Sequence, residues 1–279
     1  MKRTRLAAAF LVVLFGVSGS LLVGHLQESH NARTLQLAAA EAAHAAPTEE
    51  PAAPAVSVEP AAPSVSPEPA PAEEPAPREP QLEEGLQFLL ETDLDALRET
   101  NGDVLGWICI PGSNISYPLM RSADNREYLE LAWDGSPSKA GSIFLERKNQ
   151  PDFSDFHTLI YGHNWGNGVM FSALLEYGKQ EYADSHPYVY IVTDESIRQY
   201  RVFSAYTADV VSDTYRLYFE DDARRQTVLD FYASQSQVET DLAPTAADRI
   251  LTLSTCTGRG IAGIRWVVHT VLAAEFPRG

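Results

Sequence analysis

Ile250-Leu251-Thr252-Leu253-Ser254-Thr255-Cys256 reads as a β-strand that ends on a thiol. Its aliphatic and β-branched residues favour extended backbone. Thr257, Gly258 and Gly260 then open a loop. A second apolar run, Ile264–Leu272, follows, with Arg265 near its start, nine positions beyond Cys256. Upstream, the run His157–Tyr161 leads into Gly162-His163. Cysteine, histidine and arginine are the parts that covalent acyl transfer needs. A thiolate attacks a carbonyl, an imidazole carries protons, and a permanent cation steadies the charge that develops.

Outward from this stretch lie further short strand-like runs: Leu105–Ile110, Ile115–Leu119, Ser142–Leu145, Tyr188–Thr193 and Tyr200–Val211. Pro111-Gly112-Ser113-Asn114 and Asp134-Gly135-Ser136-Pro137 supply turn chemistry between them. Many short strands at close spacing predict a mostly β fold, largely antiparallel and closed or nearly closed. Helical spacing is confined to Leu86–Leu97, with Thr92 and Asp93 as punctuation, to Val169–Tyr177, and to Asp221–Ser234 with its apolar Val228, Leu229, Phe231 and Tyr232. These patches do not alternate with strands as a doubly wound fold requires.

The chain of 279 residues carries a net charge of −17 and shows no basic stripe, which argues against a nucleic-acid partner. Lys2, Arg3 and Arg5 form a basic tip (1–5) before the uncharged apolar run 6–24. That run approaches the ~20 residues needed to cross a bilayer. With its basic flank it predicts a signal-anchor, the N-terminus cytoplasmic and the rest outside, hence a single-pass protein of the cell membrane. Residues 25–46 read as a juxtamembrane stretch with helical composition. Residues 47–80 hold 11 of the 18 prolines and read as an extended, disordered stalk. Residues 86–279 are the globular part, long enough for one core.

Of the two cysteines, Cys109 alternates with Trp107 in an apolar strand and reads as a buried small hydrophobe, not as a partner for Cys256. Cys256 instead stands at a strand end among hydroxyls and glycines. His163 enters a turn flanked by Gly162 and Gly166, unlike the other histidines. Arg265 within a strand pattern must face solvent or a cleft. No zinc spacing such as Cys-x-x-Cys or His-Glu-x-x-His occurs, so no metal and no cofactor are expected.

Thr252-Leu-Ser-Thr-Cys256 followed by Arg265, Tyr161-Gly-His-Asn164 ahead of Met170-Phe171, and Gly106-Trp107-Ile108 leading to Tyr117-Pro118-Leu119 resemble the sortases, cysteine transpeptidases of Gram-positive cell surfaces. Ser254, the run Lys139–Phe144, the N-terminal helices and the helix before the cysteine strand look like class B. The resemblance implies an eight-stranded sortase-type barrel. It also implies that Cys256 cleaves a sorting signal of the Asn-Pro-x-Thr-Asn kind after Thr, forming a thioester. An amine of the peptidoglycan cross-bridge would resolve it. His163 would serve as acid and base, and Arg265 would hold the scissile carbonyl. By the same match Asn125, Leu129, Tyr215, Ser254 and Thr255 would line the signal groove. The implied partners are surface proteins bearing the signal and the cross-bridge amine, with the membrane reached through the N-terminal run. Two other readings are an L,D-transpeptidase and a non-catalytic stalked surface-binding domain. The first requires Gly before the cysteine and Arg two after it, where this chain has Thr255 and Gly258. The second gives Cys256 no reason to react faster than a model thiol.

Overall fold

The computed structural model describes residues 24–44, 82, 84–166, 168–257 and 263–278. In chain order the barrel strands are β1 (Val104–Cys109), β2 (Ser116–Arg121), β3 (Ile143–Leu145) and β4 (His157–Tyr161). After a small hairpin, β5 (Asn164–Trp165) and β6 (Val169–Met170), come β7 (Tyr188–Val192), β8 (Ser196–Asp209), β9 (Ile250–Cys256) and β10 (Ile264–Pro277). Eight of them close in the order β1-β2-β3-β4-β9-β10-β8-β7. The expected mostly β, eight-stranded barrel is therefore the fold. Among the described residues, only β2–β3 and β4–β9 pair in parallel.

Alternation does most of the work. Ile108, Leu119, Ile143, Ile160, Leu251, Leu253 and Val268 fall in one buried cluster. Truncating one such side chain to alanine typically costs about 2–5 kcal/mol. Cys109 is buried and, like Cys256, unpaired. Strand β8 starts at Ser196, earlier than the expected Tyr200. The polar residues there do not break it, because Arg198 is buried and pairs across the strands with Glu275 at 2.9 Å.

Helices close the outer faces. In α2 (Leu94–Thr100), Asp93 is the N-cap, accepting from Ala96 N at 2.9 Å. A 3-10 turn at Glu84–Leu89 precedes it, and α3 (Gln180–Ser185) precedes β7. Val169–Tyr177, expected as a short helix, gives β6 and then a 3-10 helix, Phe171–Gly178. In α4 (Asp222–Gln235) the N-cap is Asp221, and Val228, Leu229 and Tyr232 pack against Phe203, Tyr206 and Val267 of the sheet.

Residues 24–44 form a further helix, α1, lying on the barrel. Ala32, Ala39 and Ala43 are buried, and their small side chains let the backbones approach. Gln36 Nε2 donates to the carbonyls of Asn114 (3.2 Å) and Ser116 (3.1 Å), and Trp133 Nε1 donates to Leu35 O at 3.0 Å. This bears on the expected localisation, which is corrected: no helix among the described residues is long and apolar enough to cross a membrane. The apolar face of α1 is spent on the barrel, and Glu28, Arg33 and Glu41 interrupt the rest. Of the run 6–24 expected to span the bilayer, only Gly24 belongs to the described residues, and the stalk 47–80 lies outside them.

Candidate active site

Strands β4 and β9 keep one register, from His157↔Ile250 to Tyr161↔Ser254, an offset of 93 positions throughout. Two residues further on, His163 and Cys256 continue that offset. The parallel pairing of these two strands thus brings the histidine beside the thiol. Side chains two apart share a face. Ser254 and Cys256 therefore lie opposite to Leu251 and Leu253, on the outer side of the barrel. In the antiparallel pair β9–β10, Arg265 stands directly across from Cys256. Such cross-strand neighbours have Cβ atoms about 4.5–5.5 Å apart.

His163 is oriented from behind. Its Nε2 donates to Leu129 O at 2.8 Å, which leaves Nδ1 free to face the sulfur. Gly141 makes room for this arrangement. Its φ of +61° is left-handed, and a Cβ there would fall 2.9 Å from Leu129 O and 3.0 Å from His163 Cδ2. The guanidinium of Arg265 is steadied by Nη1 donating to Ile264 O at 3.0 Å.

The electrostatics follow from this contact. A hydrogen bond with His163 holds the Cys256 thiol below its ordinary value, burial opposes the shift, and the charges of Arg265 and His163 add to it. Reciprocally, the bond to Cys256 raises His163, with burial against it and Leu129 O in support, while Arg265 lowers it. Cys109 is the reverse case: burial pushes its thiol up to about 11. A thiolate is the nucleophilic form, so only Cys256 is prepared for attack.

Around this centre opens a cleft of about 630 Å³. The three expected reactive residues, Cys256, His163 and Arg265, line it together. So do Asn125, Leu129, Tyr215, Ser254 and Thr255. Ser254 Oγ and Tyr215 Oη are hydrogen-bonded at 2.8 Å, and burial lifts the Tyr215 phenol to about 12. Thr255 is the exception in orientation. It alternates with Cys256 onto the face of Leu251 and Leu253, and is only 2 % exposed. Gly258 and Gly260, expected to open the Cys-to-Arg loop, lie outside the described residues.

Several lining residues escape sequence reasoning, among them Phe144, Glu146, Arg147, Lys148 and Tyr161. Tyr161 could have been found, since it lies two positions before His163 on the same face. Glu146 carried a weaker signal, a charge directly after the apolar run Ile143-Phe144-Leu145.

Residues 108–273 match the family model described as the Sortase domain. Over 162 residues the chain is 33 % identical to sortase B of Staphylococcus aureus, a match covering 58 % of this chain and 66 % of that protein. It is 32 % identical to sortase B of Listeria monocytogenes over 168 residues, 59 % of this chain and 67 % of that one. The chain thus spans just under two thirds of the S. aureus relative. The solved S. aureus sortase B–substrate complex superposes with a TM-score of 0.61 at 31 % identity, covering 65 % of this chain and 84 % of the other.

Proposed function

The chain belongs to the sortase family, with class B relatives, and on that footing we propose that it is a cysteine transpeptidase acting on a sorting-signal polypeptide. One observation carries the reading. The single register of β4 and β9 leaves His163 beside Cys256 on the outer face, with Arg265 across from the sulfur.

The signal lies in the cleft with its scissile carbonyl over Cys256. The thiolate adds to the carbonyl carbon of the signal's Thr, and the oxygen takes up negative charge beside Arg265. In its protonated form His163 gives its proton to the leaving amine. The C–N bond breaks and a thioester on Cys256 remains. In the second half a primary amine attacks the thioester, His163 takes the amine's proton, and the C–S bond breaks to release a new amide. The acceptor is an amine of the cell-wall cross-bridge, and the signal is of the Asn-Pro-x-Thr-Asn kind. Asn125, Leu129, Tyr215, Ser254 and the backbone of Thr255 form the groove. A single histidine suffices as acid and base because the two halves run in opposite directions.

The test is mass spectrometry of products from a library of sorting-signal peptides with candidate amines. The parental chain should yield amide-exchanged products and a thioester on Cys256. Cys256→Ala should give neither, and Cys109→Ala should keep most activity. Peptide cleavage by Cys256→Ala at a comparable rate would sink the proposal.

A further inference from the structure

Glu146 follows β3 at the edge of the cleft, yet it is only 5 % exposed. A buried carboxylate is costly unless it is well paired with donors. Here three converge on it. Oε2 accepts from Asn125 Nδ2 at 2.6 Å and from Tyr161 Oη at 3.0 Å, and Oε1 accepts from Lys148 N at 3.1 Å. One of the three, Asn125, is a groove residue of the proposed reaction. Another, Tyr161, stands two residues before His163.

The consequence lies in Asn125. Its Oδ1 accepts from Arg147 N at 2.9 Å while its Nδ2 donates to Glu146. A flipped amide would set oxygen against carboxylate and N–H against N–H, so both contacts forbid it. The orientation is therefore single, and the second Nδ2 hydrogen stays available as a donor at the cleft. The same segment ends at Leu129, whose carbonyl orients His163.

We infer that Glu146 is a positioning residue for acyl-donor recognition: its buried carboxylate fixes the Asn125 amide as a donor to a backbone carbonyl of the sorting-signal peptide. This rests on the transpeptidase reading above. Glu146 touches no reacting atom. It acts through Asn125, so its removal should weaken substrate binding more than it slows the chemical step. Glutamine at this position cannot accept from all three donors, because its NH2 end must face one of them.

The experiment is steady-state kinetics with the Asn-Pro-x-Thr-Asn library peptide that the parental chain turns over fastest, on Glu146→Gln, Asn125→Ala and the double variant. Loss of one charge-assisted hydrogen bond predicts a rise in KM of about tenfold for Glu146→Gln, with kcat within about threefold. Adding Glu146→Gln to Asn125→Ala should change KM little further, because the carboxylate then has no amide to orient. Alkylation of Cys256 by a small thiol reagent should keep its parental pH midpoint. As a fold-preserving control, Asn125→Asp with Glu146→Gln restores a hydrogen bond of reversed polarity. Its melting temperature should recover, while its KM stays high because the donor is gone. A parental KM in Glu146→Gln, multiplicative losses in the double variant, a shifted alkylation midpoint, or a KM that recovers with the reversed pair would each overturn the inference alone. A parental chain that turns over no peptide would instead overturn the transpeptidase reading, and the role of Glu146 with it.

Discussion

The same two strands hold two histidine sites with opposite chemistry. At the start of β4, His157 Nδ1 donates to Arg216 O (2.7 Å), and its Nε2 meets Thr252 Oγ1 (2.7 Å). Thr252 Oγ1 in turn meets His269 Nδ1 (2.7 Å), and His269 Nε2 meets Tyr206 Oη (3.1 Å). With both imidazoles neutral, the Arg216 carbonyl, which only accepts, fixes one proton arrangement along the chain: both rings are protonated at Nδ1. Tyr232 of α4 seals this end, stacked on His269 at 4.0 Å and 12°. Burial holds His157 down to about 4, and burial together with the neighbouring His157 holds His269 well below the ordinary imidazole value. Six residues along, at the cleft, His163 meets an ionisable thiol and is raised. Residue type is the same and His163 continues the line of β4, so burial and the partner decide the charge. A histidine becomes an acid–base group here by standing at the open end beside a group that can be negative.

The comparison breaks most severely at the open end. His163→Ala should lower turnover by about 10²–10⁴-fold, the usual worth of general acid–base help. It should also move the alkylation midpoint of Cys256 upward, since the largest cause of its depression is gone. Replacing His157 should cost stability and leave kcat of the folded fraction near parental. A His163→Ala variant with parental turnover and an unshifted Cys256 midpoint would show that the two sites differ in burial only.

The closed end was harder to read from sequence than the open one, for a physical reason. The strands, α2 and α4 announce themselves through local alternation and capping, and Cys256, His163 and Arg265 stand out because strand ends next to glycine are places where chemistry is exposed. The network of His157, Thr252, His269 and Tyr206 joins four strands. It depends on the 93-position register, which no local pattern encodes. The same holds for Glu146, whose partners Asn125 and Tyr161 are 21 and 15 positions away. Likewise α1 docks through alanines, which carry little amphipathic contrast.

Arg265 sharpens the comparison from across the sheet. It is a charge that alternation would otherwise assign to solvent, and its register partner is the nucleophile. Arg265→Lys should fail nearly as badly as Arg265→Ala, losing about 10²–10³-fold in turnover. Lysine keeps the charge but cannot hold Ile264 O and a substrate oxygen with one planar fork. Both variants should melt near the parental temperature, because the side chain fills no core space. Near-parental turnover in the lysine variant would mean that charge alone suffices.

The smallest expected effect concerns stability against pH, and there the two ends should differ in sign structure. At the open end the terms oppose. His163, raised on folding, contributes stability that is full below its unfolded value of 6.5 and fades as pH rises through its folded value. Cys256, lowered on folding, contributes stability that is full above its unfolded value of 9.0 and fades as pH falls through its folded value. The two terms therefore have slopes of opposite sign. At the closed end the terms add. His157 and His269 stay neutral in the folded chain, so below about pH 6.5 the unfolded chain binds protons that the folded chain refuses. Stability should therefore fall as pH drops from 6.5 toward 5, by at most about 1.4 kcal/mol per pH unit for each imidazole. Paired carboxylates such as Asp213 contribute only at lower pH, because their unfolded values lie near 4. Urea titrations between pH 7.5 and 5 measure the slope, and His269→Asn should make it shallower. A parental stability that stays flat across that interval would mean that the closed-end pair already carries charge, and the contrast between the two ends would collapse.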